Sequence, residues 1–172
     1  TEFGDRFAET SAYHHVAEAI GWVEDQGYAG QSCNRENVPL TVTANFAYYE
    51  DNVATGAGFA FYSGACEDAI TLGQAERDAS YDGDIIHHEF AHGIVETQTG
   101  ENFGVETFTP YSLSFDSRAI AEGFADFFAA SMSDDPEFGT YFLDAPRDLE
   151  NDFQCPRDLT GEIHADGEVI AG

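Results

Sequence analysis

The stretch DIIHHEFAHGIVETQTG, residues 84–100, decides the fold of this chain because it combines a helical apolar pattern with ionisable side chains. Asp82 offers an N-terminal cap and Gly100 offers a stop, so the pattern predicts a helix from Asp82 to about Thr99. Two histidines and a glutamate nevertheless interrupt its apolar surface. Uncompensated ionisable groups are costly to bury, so these three side chains need a compensating partner.

The histidines that interrupt this helix have the spacing of metal ligands. His88 and His92 are four residues apart, so their rings differ by about 40° around the helix and project from one face. Zinc held by two neutral imidazoles and a carboxylate, with one position left for water, is the arrangement of a hydrolytic site. Glu89 is rotated by about 100° from His88 and is expected to reach the water. His87, rotated by a similar angle, is expected to contact substrate or to face solvent.

A second helix is predicted to supply the carboxylate. It begins near Asp116 or Ser117, carries an apolar surface, and ends at the helix breakers that start with Asp134. Glu122 and Asp126 lie four residues apart and interrupt this surface. One acid can bind the metal while the other accepts the second ring proton of a zinc-bound histidine, which fixes the tautomer of that ring. Two solvated acids on an amphipathic helix are the alternative, which the HExxH pattern disfavours.

The remaining pattern predicts one further helix and a small sheet in a single domain, residues 1–172. The helix lies within residues 11–26, with Ser11 as a cap, Gly27 as the stop and Tyr13 on its apolar face. Strands are predicted at residues 38–46, 58–64 and 69–73, and irregular structure at residues 101–115 and from Glu137 onwards. We therefore expect an α+β fold in which a small mixed sheet packs on the HExxH helix and the second helix completes the zinc site.

Composition places the chain among globular proteins and excludes several classes of partner. Of its 172 residues, 42% are hydrophobic and 14% are aromatic, which is enough for a packed core. The 33 acidic side chains face 6 basic ones, and the net charge of -27 makes the surface repel nucleic acid and anionic membranes. No segment approaches the roughly 20 apolar residues of a membrane span. Such an acidic shell suits a salty or calcium-rich medium.

The three cysteines leave the redox state of the chain open. Cys33, Cys66 and Cys155 lie far apart in the sequence, without a CxxC pair. At most one intramolecular disulfide can form among them, and the sequence does not select the pair. One bridge with one buried thiol is compatible with a secreted chain.

Taken together, HHEFAH and AEGFAD resemble the gluzincin pattern, an HExxH helix followed by an ExxxD helix. The likeness is to zinc metalloendopeptidases of the thermolysin and fungalysin type, and it covers most of the chain. It implies that zinc is held by His88, His92 and Glu122. It further implies that Glu89 is the general base and that Asp126 orients a ligand histidine.

The resemblance also implies roles for residues outside these two helices. His164, in GEIHADG, corresponds to the histidine that stabilises the oxyanion. The stretch TANFAYYED resembles the edge strand that pairs with extended substrate, with Asn45 as its polar contact. Arg147 corresponds to the arginine that holds a substrate carbonyl, and Tyr111 is the candidate for the auxiliary tyrosine. Asp84 corresponds to a position that contributes to calcium binding.

The function implied is hydrolysis of peptide bonds in proteins by a secreted enzyme that carries Zn²⁺, with Ca²⁺ as a further candidate ion. The chain ends eight residues after His164, where such enzymes continue into more helices. We therefore expect a fragment of a longer domain or precursor that lacks its C-terminal helical subdomain, with any propeptide already removed. Two other functions stay open: a non-catalytic acidic binding module stabilised by zinc or calcium, and a purely calcium-binding interaction domain.

Overall fold

The computed structural model of the chain describes residues 5–27, 40–50, 53–63, 69–99, 108–109, 112–113 and 116–150. Within these ranges the elements follow in this order: α1 (Arg6–Asp25), β1 (Thr41–Glu50), β2 (Val53–Gly56), β3 (Ala60–Ser63), β4 (Ala69–Gly73), a 3-10 turn (Ala79–Tyr81), α2 (Gly83–Thr99), β5 (Phe108–Thr109), β6 (Ser112–Leu113), α3 (Asp116–Ser133), β7 (Glu137–Phe138) and β8 (Arg147–Asp148). The helices predicted for the HExxH and ExxxD segments are confirmed as α2 and α3.

The four longest strands form one mixed sheet in the order β2-β1-β4-β3. β1 runs parallel to β4, whereas β2 pairs antiparallel with β1, and β3 pairs antiparallel with β4. This small sheet with its helices is compatible with the expected α+β class. Residues 43–50 of the stretch TANFAYYED belong to β1, an interior strand, so the expectation that this stretch forms an edge is wrong. The reason is β2, a short strand without clear alternation, which covers the second half of β1.

The hydrophobic core lies where α2 packs against α1, α3 and the strands β3 and β4. Ile70 and Leu72 of β4 meet Ile85 and Ile86 of α2 in one buried cluster, which Phe138 joins from the segment after α3. Each such side chain contributes about 1.5–3 kcal/mol through its burial. The helix that carries the HExxH residues is therefore anchored on apolar support. None of the helices in the described ranges has both the length and the apolar run that a membrane span needs.

α1 begins earlier and buries a different face than its sequence pattern predicts. Asp5 caps the helix by accepting a hydrogen bond from the Phe7 N–H at 2.9 Å, so the expected cap at Ser11 is wrong. Gly27, just past the helix, has a φ of +84°, a left-handed conformation that glycine adopts without strain. Tyr13 is 78% exposed, whereas the buried stripe is made mostly of small residues: Ala8, Ala12, Val16 and Ala19. Small side chains let α1 approach its neighbours closely, which the spacing of large residues does not reveal.

A hydrogen bond from the Tyr81 hydroxyl to Asp5 ties the start of α1 to the 3-10 turn before α2. This bond raises the pKa of Tyr81 to about 12. The pKa of Tyr81 in the folded protein lies above the usual tyrosine value of about 10. The stabilisation by this bond is therefore fully present below about pH 10 and is lost as the pH rises towards about 12. We expect Tyr81→Phe to unfold at a lower urea concentration than wild type at about pH 8, and expect this difference to shrink as the pH approaches 12.

Urea titrations at several pH values measure this effect. Tyr13→Phe is the matched control, because Tyr13 is exposed on α1 and its replacement should leave the midpoint unchanged. A Tyr81→Phe midpoint equal to that of wild type at neutral pH would show that the bond does not stabilise the fold.

Candidate metal centre

The facing sides of α2 and α3 bring two imidazoles and one carboxylate together. His88 Nε2 lies 3.0 Å from Glu122 Oε2 and 3.2 Å from His92 Nε2. His92 Nε2 lies 3.5 Å from the same Glu122 oxygen. In the described part of the chain, this is the more buried of two groups of three side chains that could hold a metal ion. The residues whose spacing predicted a common site therefore do converge.

The separations between these three atoms fit a zinc ion. Zinc binds imidazole nitrogen and carboxylate oxygen at about 2.0–2.2 Å in a tetrahedron, which sets neighbouring ligand atoms about 3.3–3.5 Å apart. The measured separations of 3.0, 3.2 and 3.5 Å lie close to that spacing. Two nitrogens and one oxygen also form the donor set of hydrolytic zinc sites, which keep a fourth position for water. His88, His92 and Glu122 are therefore the residues that would hold the metal.

Asp126 fixes the orientation of His88 through the other ring nitrogen. Its Oδ1 lies 2.8 Å from His88 Nδ1. An imidazole that donates its Nδ1 proton to a carboxylate keeps Nε2 as a lone pair for a metal. Asp126 is fully buried, and Arg147 Nη1 lies 3.0 Å from its second oxygen as an ion pair without hydrogen-bond alignment. The guanidinium supplies the opposite charge that a buried carboxylate requires.

Phe138 forms the apolar wall of the site. Its side chain is 1% exposed and its ring centroid lies 5.4 Å from that of His88. The guanidinium carbon of Arg147 lies 4.4 Å from the centroid of the same ring, a cation–π contact. By excluding water here, the ring strengthens the electrostatic contacts between Arg147, Asp126 and His88.

The surroundings of His88 favour positive charge on its ring. Burial lowers the pKa of His88, but hydrogen bonds to Asp126 and Glu122 outweigh burial and raise it to about 10. Burial likewise raises the pKa of Glu122, yet its hydrogen bonds to the two histidines outweigh burial and hold that pKa well below its usual range. Surroundings that stabilise a cation beside an ionised carboxylate also attract a metal ion.

Glu89 lies beside the predicted ligands and next to a different element, the edge strand β3. Its side chain is buried, and burial raises its pKa against the opposing charges of His88 and His92. The backbone N–H of Tyr62, on the edge strand β3, faces the Glu89 carboxylate and acts against burial by lowering the pKa of Glu89. Gly93 permits this approach, since a Cβ there would lie 3.3 Å from the Tyr62 ring. Glu89 therefore combines raised proton affinity with a buried position next to the sheet edge.

Asn45, the expected polar contact of the substrate, is hydrogen-bonded to another part of the protein. Its Nδ2 donates a hydrogen bond to the backbone carbonyl of Asp5 at 3.2 Å. Its φ of +57° coincides with the irregular pairing of β1 and β4 between Thr43 and Phe46. The side chain therefore joins the sheet to the start of α1, and the substrate contact stays a prediction.

Asp84, the expected calcium ligand, joins the start of α2 to the end of α3. Its Oδ1 accepts a hydrogen bond from Ser133 Oγ at 2.9 Å, and its Oδ2 accepts one from the Gly139 N–H at 3.1 Å. Asp82 acts similarly, since it accepts from the N–H groups of Asp84 at 3.1 Å and Phe142 at 2.8 Å. Both acids thus bind protein donors, and calcium binding stays a prediction.

Several predicted residues lie outside the described part of the chain: Tyr111, His164, Cys33, Cys66 and Cys155. His87 is described and is 5% exposed, so the expectation that it faces solvent is wrong. Its side of α2 is covered by α1 and α3, where it contacts His15 and Ser133. Reasoning from the sequence also missed the Tyr62 amide, because a backbone donor leaves no signature in the residue type.

Replacing Asp126 by asparagine is expected to weaken zinc binding by about 10- to 100-fold. The neutral amide orients His88 less firmly and removes the negative charge that faces Arg147. Competition with a chelating dye measures the affinity, and Asp144→Asn is the control because the Asp144 side chain is fully exposed. Equal zinc affinity in the two variants would rule out the orienting role of Asp126.

A comparison with protein families connects this geometry to known enzymes. The model of the family described as Fungalysin metallopeptidase (M36) matches residues 14–148, which include α2, α3 and the three converging side chains. A search of curated proteins found no match. Metallopeptidases of the matched family use zinc, in agreement with the donor set found here. Because the match covers well over half of its residues, the chain belongs to the fungalysin metallopeptidase family.

Proposed function

We propose that this chain is a zinc-dependent metalloendopeptidase that hydrolyses peptide bonds in proteins. The observation that carries the proposal is the convergence of His88, His92 and Glu122 within 3.5 Å of one another. Asp126, hydrogen-bonded to the far nitrogen of His88, supports it because such partners orient zinc-binding histidines. Membership of a metallopeptidase family supports the same metal and the same class of substrate.

Glu89 is the general base in this proposal. When bound, zinc supplies a Lewis acid that polarises the substrate carbonyl and lowers the pKa of water towards about 7. Glu89 takes a proton from the attacking water and later delivers it to the departing amine. Burial raises the pKa of Glu89, which brings its proton affinity closer to this task than that of an exposed glutamate.

β3 is an edge strand of the described sheet, where it pairs antiparallel with β4. The Tyr62 N–H of this strand faces the Glu89 carboxylate, so the strand borders the proposed general base.

Other roles in this mechanism rest on the resemblance of the sequence to the family. His164 is assigned to stabilise the oxyanion, a role whose loss costs roughly 10²- to 10³-fold in rate. Tyr111 and Arg147 are assigned to contacts with the substrate, and for Arg147 its ion pair with Asp126 supports a second role in holding that carboxylate. The protein is proposed to act outside the cell, where fungalysin-type enzymes work and where its acidic surface is suited to a salty medium.

The experiment that tests the proposed function combines metal analysis with proteolysis. We expect purified protein to contain zinc and to cleave casein or gelatin, to lose cleavage in phenanthroline, and to regain it when zinc is restored. Cleavage that persists in excess chelator would contradict a metal-dependent mechanism. Bound zinc with no cleavage of any denatured protein would instead favour the non-catalytic binding module.

A further inference from the structure

A second group of metal-binding side chains lies on α1. Glu18 Oε2 lies 3.0 Å from His15 Nδ1 and 3.4 Å from His14 Nε2. These separations resemble those of the first site and the spacing of about 3.3 Å between ligands of a tetrahedral metal ion. Two imidazoles therefore share one carboxylate oxygen at the distances that a bound cation would set.

His15 and Glu18 line a cavity of about 380 Å³ between α1, the start of α2 and the end of α3. The other lining residues are Gly83, Asp84, His87, Met132 and Ser133. Gly83 makes room for the His15 ring, since a Cβ at this position would lie only 2.8 Å from it. The His15 ring therefore packs against Gly83, the first residue of α2.

His87 is the buried polar side chain of this cavity. Its ring meets the His15 ring edge to face, with centroids 5.6 Å apart. Among the described residues, its Nε2 has no hydrogen bond of normal length and angle, although the His15 backbone carbonyl lies near the ring. The Ser133 hydroxyl donates to Asp84 Oδ1 at 2.9 Å and is left to accept from His87 Nδ1 at 3.4 Å. The proton of the neutral His87 ring therefore lies on Nδ1, and Nε2 carries a lone pair.

An ordinary surface ion pair is the alternative explanation of the α1 cluster. Histidine and glutamate side chains three or four residues apart on an exposed helix are common and contribute little to stability. Such a pair does not require Gly83 beneath the His15 ring or a buried imidazole with an unpaired nitrogen behind it. A buried polar atom without a partner is costly, and a ligand bound in the cavity beside His15 would reduce that cost.

We infer that His14, His15 and Glu18, with His87 behind them, form a second site that binds a divalent transition-metal ion such as Zn²⁺ or Ni²⁺. Two imidazoles and one carboxylate select such ions over Ca²⁺ and Mg²⁺, which prefer oxygen ligands. His14 and Glu18 are exposed, so the ion exchanges with solvent and binds more weakly than at the buried site. Binding there connects α1 to the helix that carries His88.

Metal stoichiometry tests this site without any catalytic readout. Wild-type protein stripped with a chelator and titrated calorimetrically with Zn²⁺ or Ni²⁺ should bind two equivalents. Glu18→Gln should lose the weaker equivalent or bind it at least about tenfold less tightly. Glu24→Gln, an exposed glutamate on the same helix, is the matched control and should keep both. Gly83→Ala should weaken the same equivalent as Glu18→Gln, because the added methyl group displaces the His15 ring.

A variant of the first site separates this inference from the proposed function. Glu122→Ala should lose the tighter equivalent and keep the weaker one, even if the protein proves not to be a protease. A single equivalent in saturated wild-type protein would overturn the second site. Retention of both equivalents at unchanged affinity in Glu18→Gln would overturn it as well.

Discussion

Replacing Glu89 by glutamine should abolish peptide hydrolysis while zinc stays bound at His88, His92 and Glu122. Glutamine has nearly the same shape as glutamate but cannot take a proton from water at neutral pH. The rate of casein cleavage should therefore fall by at least about 10²- to 10⁴-fold. Zinc content, measured by elemental analysis, should not change.

The position of Glu89 separates a role in catalysis from a role in binding zinc. Its side chain is buried beside the ligands without belonging to the group of three that converge. Glutamine has nearly the same size as glutamate, so the edge strand β3, whose Tyr62 N–H faces this side chain, should keep its place. Glu9→Gln, an exposed change of the same kind on α1, is the control and should cleave normally. Substantial cleavage by Glu89→Gln would refute its role as the base.

Replacing Glu122 by alanine should remove both zinc from the buried site and activity. This change deletes the oxygen that lies 3.0 Å and 3.5 Å from the two ring nitrogens. Loss of a residue that only orients a metal ligand already lowers metal affinity by about 10- to 100-fold. Loss of a direct ligand should therefore lower the affinity by more than about 100-fold. Competition with a chelating dye measures the affinity at this site.

Glu76→Ala is the matched control for this variant, because Glu76 is an exposed glutamate in the turn after β4. It should bind zinc and cleave casein as wild type does. The contrast between the two active-site variants then separates the roles of their carboxylates, since Glu89→Gln keeps zinc and Glu122→Ala does not. Undiminished zinc affinity at the buried site of Glu122→Ala would remove this residue from the ligand set.

The metal centre could be predicted largely from local spacing. His88 and His92 are one helical turn apart, so any helix through this segment places their rings on one face. Glu122 and Asp126 follow the same rule on α3, and the cap at Asp82 marks where α2 starts. These relations depend only on the helical repeat.

The surroundings of that centre could not be predicted in the same way. Tyr62 reaches Glu89 through a backbone amide, and Arg147 reaches Asp126 from β8. Neither contact has a spacing rule, because the partners come from elements that meet only when the chain is packed. His87 shows the same limit, since its burial depends on α1 and α3 covering that side of α2.

The sequence by itself therefore determined α2, α3 and the face on which each presents its metal-binding side chains, because the helical repeat is local. Only the tertiary structure decided that β1 lies inside the sheet, that β3 is the edge beside Glu89, and that His15 rests on Gly83 next to His87. Strand order and the approach of distant helices depend on how complete surfaces fit together, and this fit is a property of the packed chain rather than of any segment.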